Sequence, residues 1–511
     1  MISNETKYRS SWSRWLSETE QIELTTPVMR RILQAISRKN REQALGLCDE
    51  LREERIILHD FFADTCTALF SWVGRNLGEE TLEEMFRDCF TQSAKRQIFD
   101  LLSLGIEPGL EAIMMARNAW VAHSCSGAGE HGGAFTLIED DEKFTFVLDP
   151  CGSGGRLWRK RRYDPPWNFA VTSRAYPWSF NRKDFPYYCI HCSFLNEILP
   201  YEHLGFLSWP VEPPGHAMDV CKWHIYKDRY AVPDNYYARV GLTRKQKPEA
   251  LRSGTHRWFT EDQLREASRP TPERIQEKIL AGDFRRARHI GSQMAGEFLF
   301  LHHLYVNMVA ATLDFIAQRS GEESLGEIFA YLYKTCIEDQ IVAQVKNLTP
   351  PQAIKYLVKT IFLADTCGGA GLKPSRIRIV EDNEALTIFL DPCGSGGKLL
   401  RYGAYEHKDG SLGREALENR LLKSVMRLPL PRWLLETAMP FAVTYFTETR
   451  KPLGLRKTMK GHDWSGGSAG VPYYCCLCTN ALHLAGCSWI SVEPPGDDRK
   501  PCIWRVDKTK V

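Results

Sequence analysis

An excess of charge of either sign is missing from this chain of 511 residues, in which 66 Lys and Arg stand against 63 Asp and Glu for a net charge of +3. That balance excludes the electrostatic footprint of a polyanion binder, so no nucleic-acid partner is expected. A long uninterrupted apolar run is missing too. The longest candidate, Phe298 to Ile316, is broken by His302, His303, Asn307 and Asp314. A membrane span does not carry that polar load without a functional reason, so no membrane is expected. No basic-then-apolar leader opens the sequence, which points to the cytoplasm. In that reducing setting the sixteen cysteines read as free thiols and metal ligands rather than a disulfide framework. What remains is ordinary for a folded protein: 43% hydrophobic, 11% aromatic and 25% charged residues, enough for several cores.

The chain repeats itself. Residues 59–86 align without a gap on 302–329, and Gly78-Glu79-Glu80-Thr81-Leu82 answers Gly321-Glu322-Glu323-Ser324-Leu325. Cys125-Ser126-Gly127-Ala128-Gly129 answers Cys367-Gly368-Gly369-Ala370-Gly371. Leu148-Asp149-Pro150-Cys151-Gly152-Ser153-Gly154-Gly155 answers residues 390–397. Pro186-Tyr187-Tyr188-Cys189 answers Pro472-Tyr473-Tyr474-Cys475, with Cys192 answering Cys478. Glu212-Pro213-Pro214-Gly215 answers Glu493-Pro494-Pro495-Gly496, and Cys221-Lys222-Trp223 answers Cys502-Ile503-Trp504. Six blocks in one order imply a tandem duplication.

Within each unit, apolar spacing of three and four predicts helices over 28–120 and 272–364, and short alternating runs between Gly, Pro and Asp turns predict a cysteine-rich antiparallel sheet over 121–224 and 365–511. The class is therefore α+β. Residues 1–27 read as an N-terminal segment and 225–270 as a linker with room for a short helix. The second unit carries an insert over about 411–439 with helical spacing, placed to cover a pocket or the seam between units. A pseudo-twofold packing of the two units follows from their likeness.

The eight-residue block reads as strand, tight turn, strand, with Gly-Ser-Gly-Gly supplying positive φ. Cys151, Cys189, Cys192 and Cys221 recur as Cys393, Cys475, Cys478 and Cys502, whereas Cys48, Cys66, Cys89, Cys336, Cys476 and Cys487 do not recur. Four thiolates, two of them from a Cys-x-x-Cys, suit the tetrahedral preference of zinc. Two structural zinc ions per chain are expected, their thiols within about 4 Å of one another, with an iron–sulfur cluster as the lesser alternative. The glycine block resembles the Cys-Gly-Ser-Gly-Lys piece of the short SEC-C zinc motif over five residues, which implies zinc. The outline of helical lead, cysteine-zinc sheet and closing Cys-x-aromatic strand resembles small-molecule-binding domains of the 4-vinyl reductase type, which implies an architecture with a ligand pocket.

A full tetrathiolate site leaves no open position, so chemistry must lie elsewhere. His59 and His302 recur within the apolar stripes of the helical parts. They read either as satisfied core histidines or as acid–base groups in a pocket between helices and sheet. Cys125 and Cys367 recur at the junction of helix and sheet, as turn residues or as nucleophiles. Asp149 and Asp391 are expected beside the metal ligands or capping the turn. The block lacks the Walker spacing and is followed by what reads as a strand, which argues against a phosphate loop. Arg159-Lys160-Arg161-Arg162 has no counterpart in unit two and reads as a solvated hairpin. Two functions remain open: an enzyme acting on a small molecule, or a zinc-stabilised protein that binds a ligand or partner without turnover.

Overall fold

The computed structural model describes residues 14–123, 129–216, 218–245, 257–406, 408–426 and 432–511. It is a mixed helical and antiparallel-sheet protein. Helix α1 (Glu18–Thr25), α2 (Val28–Ser37) and the long α3 (Arg41–Asn76) open the chain, and shorter helices fill 81–123. A four-stranded sheet follows, built from β1 (Phe135–Glu139), β2 (Lys143–Leu148), β3 (Val211–Glu212) and β4 (Cys221–Tyr226) in the order β1-β2-β4-β3. Helices α4 (Gly154–Arg159) and α5 (Tyr187–Ser193) lie between β2 and β3.

The second half begins with α6 (Glu261–Ser268), α7 (Thr271–Leu280), α8 (Phe284–Gln293) and α9 (Leu299–Ser320). Its sheet, β5 (Arg376–Glu381), β6 (Ala385–Asp391), β7 (Ile490–Glu493) and β8 (Cys502–Asp507), has the order β5-β6-β8-β7. Between β6 and β7 come α10 (Gly396–Arg401), α11 (Lys408–Met426), α12 (Arg432–Thr449) and α13 (Cys476–Leu484). Both sheets keep one register: Leu148 faces Cys221 and Leu390 faces Cys502.

Helices α3 and α9 are the central pair. Both are long and apolar enough to cross a membrane, yet 78% and 89% of their most apolar windows are buried inside the fold. The expected stripe Ile56, His59, Phe62, Cys66, Leu69 and Val73 is buried, as are Leu299, His302, Val306, Val309, Leu313 and Ile316. Burial runs beyond one face, taking in Asp64, Thr65, Thr67 and Ser71, because helices of both halves surround α3. Phe62 and Tyr305, which occupy matching positions, stack at 5.7 Å with their planes 1° apart.

Two expectations are corrected here. A helix, not a strand, follows each glycine block. None of the block's described glycines has positive φ. They serve as spacers: a Cβ on Gly154 would lie 2.6 Å from Cys189 Sγ, and one on Gly396 would lie 2.6 Å from Cys475 Sγ. Six residues of helix are too few to reveal their period in sequence. The basic run is likewise no solvated hairpin. It closes α4 against α3, where Lys160 pairs with Asp60 at 2.7 Å and the buried Arg162 pairs with Asp64 at 2.9 Å. Asp60 and Asp64 stand four apart on one helix face, so they capture the cations together.

Residues 225–270 include a short helix, Asp234–Arg239, and the docked element α6. Helix α6 lies on β1, where Glu139 accepts from the Trp258 and Phe259 amides at 2.7 and 3.0 Å and from Lys227 at 3.0 Å. Helix α1 lies in the same way on β5 of the other half. Glu381 accepts from the Trp15 and Leu16 amides and, at 2.6 Å, from Lys508. Both helices start with a capping box, Ser17 with Glu20 and Thr260 with Gln263. Each half thus receives its edge helix from the segment that precedes the other half.

The insert is helical within its described residues, in α11 and α12. Met439, Val443 and Phe446 pack on Leu101, Leu104 and Ile106 of the first half, and Arg96 holds Glu415 at 3.0 Å.

Candidate functional site

The thiols come first because they fix the walls of the site. In the first half, Cys151 leaves the glycine block, Cys189 and Cys192 sit three apart on α5, and Cys221 opens β4. The Cys-x-x-Cys lies on a helix rather than a hairpin, and i,i+3 spacing puts both thiols on one side. All four line one cavity, together with His123, Tyr188 and His191. Burial pushes the Cys192 and Cys221 thiols up, and charge on any neighbouring thiol pushes them further. In the second half Cys393, Cys475, Cys478 and Cys502 interact in the same mutual way. Cys475 and Cys502 are buried and Cys478 is exposed. Cys476 turns into the core and faces the Pro472 carbonyl at 3.5 Å.

Among the described residues no three Cys, His, Asp or Glu side chains stand close enough to hold an ion as they are, so the expected closure to about 4 Å is not seen. Thiols are a donor type that zinc takes. Each described cysteine is a free thiol; of the two sets, Cys151, Cys221, Cys475 and Cys502 are buried, Cys189, Cys192 and Cys393 are half-buried and Cys478 is exposed. Asp149 and Asp391 are exposed, and Asp391 pairs with Arg401 at 2.8 Å. Neither caps a thiol.

Next to the first cluster is an apolar cavity with an open mouth. Trp120, Trp209 and Trp223 form one wall and Leu301, Leu304 and Met308 of α9 another; Tyr188, Tyr305, His123 and His191 supply the polar atoms. It lies between helices and sheet. A π-helical turn at Ala116–Trp120 leads to it, matched at Val358–Phe362 in the second half; such turns often accompany functional sites.

The polar atoms form a chain. Tyr188 OH meets Tyr305 OH at 2.7 Å and also the Ser153 hydroxyl. Tyr305 OH lies 3.5 Å from His59 Nε2, and His59 Nδ1 is 3.3 Å from Asp60 Oδ1. Arg156 Nε, at 2.9 Å, and Lys160 hold Asp60 in place. Although burial opposes it, a hydrogen bond from His59 and the charges of Lys160 and Arg156 hold the Asp60 carboxyl well below its usual range. Burial keeps His123 and His191 neutral, the latter pushed down to about 4, and pushes the Tyr188 phenol well up. The site is therefore uncharged on its cavity side, with one fixed carboxylate behind it.

The four residues singled out in sequence fare differently. His59 joins this chain. Cys125 lies outside the described residues. His302 and Cys367 do meet, in the second half, where His302 Nε2 is 3.1 Å from Asp365 Oδ1 and the Cys367 thiol lies against the same imidazole. Tyr188, Tyr305, His123 and Asp365 were missed. The doubled Pro-Tyr-Tyr-Cys pointed to Tyr188, but no local signal links Tyr305 to His59 across 246 residues. Compared with known proteins, the chain matches no family model, no curated protein and no solved structure.

A buried carboxyl outside the cavity gives a pH test. Glu54 is 8% exposed, its Oε2 lacks a hydrogen-bond partner, and burial raises its pKa from 4.5 to about 8 despite the pull of Arg55. A raised carboxyl stabilises the fold at low pH, and that contribution is lost as pH climbs from 4.5 through 8. Glu54→Gln is expected to raise the urea midpoint over wild type at pH 8.5, by about 1–3 kcal/mol, and to change it little at pH 5. An equal effect at both pH values would show that Glu54 does not titrate in this range.

Proposed function

We propose that this chain is a tandem duplication whose two units exchange their first helices about a pseudo-twofold axis, and that the first unit is an enzyme site for a small, largely apolar carbonyl compound. The units run from 14 to 245 and from 257 to 511. The exchange of α1 and α6, the shared sheet order and the stacked Phe62–Tyr305 pair support the duplication. A structural zinc in each four-thiol cluster would brace the sheets, with Cys151, Cys189, Cys192 and Cys221 as one ligand set and Cys393, Cys475, Cys478 and Cys502 as the other.

The chain Tyr188–Tyr305–His59–Asp60 at the cavity wall carries the catalytic reading. A substrate carbonyl in the cavity would accept a hydrogen bond from Tyr188 or Tyr305. The Asp60 carboxylate would hold the His59 tautomer that accepts at Nε2, so that a proton can pass along the hydroxyls. Apolar walls around such a chain favour proton transfer next to a carbonyl over binding of a charged metabolite.

The probe is 4-hydroxyacetophenone. Its binding should quench Trp120, Trp209 and Trp223, and in D2O the protein should exchange its methyl protons for deuterium. Tyr305→Phe is expected to slow exchange by about 10²–10⁴-fold with little change in quenching, the range of one general acid–base group. Quenching without exchange would leave a non-catalytic binding protein; no quenching at millimolar probe would remove the site.

A further inference from the structure

The second half repeats the helix–sheet junction with different chemistry. Where the first half has His123, it has Asp365; where the first has Asp60, it has His303; where the first has Arg156, it has Lys398. Asp365 bridges the junction, accepting from His302 Nε2 at 3.1 Å and, through its other oxygen, from the Gly394 amide at 2.6 Å. This locks the imidazole and leaves His302 Nδ1 buried without a hydrogen-bond partner.

Cys367 lies beside that ring, 4% exposed, with its sulfur 3.8 Å from the Asp365 carbonyl. Its φ is +51°, and Gly368, Gly369 and Gly371 follow at +69°, +71° and +104°. A non-glycine residue in that region is held there by its surroundings, as strained residues at functional sites are.

The second observation is Lys451. Its side chain is fully buried, its Nζ has no hydrogen-bond partner, and Lys398, Glu448 and Cys367 lie around it. The carboxylate beside it is already taken: Glu448 pairs with Lys398, accepts from Tyr402 OH at 2.9 Å and from the Leu372 amide, and lies 3.8 Å from His303 Nε2. Burial and the neighbouring Lys398 charge push the Lys451 amine well down towards its neutral form, and an anionic ligand beside it would restore the charged form.

We propose that Cys367 is a nucleophilic thiol in a second site, with His302 as its proton acceptor, Asp365 as the positioning residue, and Lys451 as the seat for the carboxylate of a short acid that carries an electrophilic carbon. In the bond-forming step the Cys367 proton passes to His302 Nδ1, the sulfur forms a bond to that carbon, and the leaving group departs with its electron pair. Neither the cavity of the first half nor its tyrosines take part.

Iodoacetate and iodoacetamide, which differ in charge, test this on the intact chain. Each forms an S–C bond as its C–I bond breaks and iodide leaves, and peptide mapping by mass spectrometry reports the rate at each cysteine. Iodoacetate is expected to label Cys367 at least 10-fold faster than the amide does, while Cys66, Cys89 and Cys336 show no such preference. Lys451→Met should abolish the preference with Cys367 still reactive to the amide, and His302→Gln should slow both reagents at least 10-fold at Cys367 alone. Should a variant fold poorly, wild type suffices: acetate should protect Cys367 from iodoacetamide and acetamide should not. Equal rates for the two reagents, or no protection by acetate, overturns the proposal.

Discussion

Cys189→Ser is expected to lower the zinc content of the purified protein from about two ions per chain to about one, and to melt the first sheet while the second stays folded. Cys189 sits on the first turn of α5, directly above Gly154, so its sulfur ties that helix to the glycine block. Its three companions come from the block, from α5 and from β4, so one ion would join all three elements. A structural zinc contributes on the order of 10 kcal/mol, most of a domain's stability, so losing one ligand affects more than its own contacts. The comparison is Cys66→Ser: Cys66 is also fully buried, but in the helical core. It should keep both ions and cost about 1–3 kcal/mol for an unpaired hydroxyl. Elemental analysis with far-ultraviolet circular dichroism, before and after a strong chelator, reads both quantities. Wild type without metal, or Cys189→Ser with two ions, would remove zinc from the account of both halves.

Sequence reading reached the element classes, helices and antiparallel sheets, because the apolar period of a helix and the alternation of a strand leave a local trace. It missed what depends on distant partners. The glycine block looked like a hairpin because Gly-Ser-Gly-Gly is turn chemistry, whereas the fold uses Gly154 to let Cys189 approach. Arg162 looked solvated because nothing nearby marks Asp64, far earlier in the chain, as its partner. The chain from Asp60 to Tyr188 joins three segments from both halves, so no window contains it. The exchanged helices were within reach. Ser17-x-x-Glu20 and Thr260-x-x-Gln263 are both capping boxes, and each follows a tryptophan and one apolar residue, Trp15-Leu16 and Trp258-Phe259. The blocks between them differ enough that the match stands out only once both are seen on a sheet edge.

That exchange leads to the second large effect, on stability. Glu381 has no exposed side-chain surface and Lys508 has 1%, and the same carboxylate accepts the Trp15 and Leu16 amides that lead into α1. Glu381→Ala therefore leaves a buried ammonium and two amides without their acceptor. Removing one partner of a buried pair costs about 3–5 kcal/mol, far beyond a surface ion pair, because the remaining charge stays desolvated. Glu139→Ala should cost a similar amount in the first sheet, where Lys227 and the Trp258 and Phe259 amides lose the same support. The two losses should add, since the pairs belong to separate sheets and share no partner. Adding Lys508→Met to Glu381→Ala should recover part of the loss, as removing both charges also removes the stranded one. Urea midpoints measure the energies, and limited proteolysis locates them. Glu381→Ala should expose the chain around 14–27 to cleavage while leaving 257–270 protected, and Glu139→Ala should do the reverse. A cost below about 1 kcal/mol in both variants, the scale of a surface pair, or release of the helix next in sequence instead of the exchanged one, would contradict the reciprocal docking of α1 and α6.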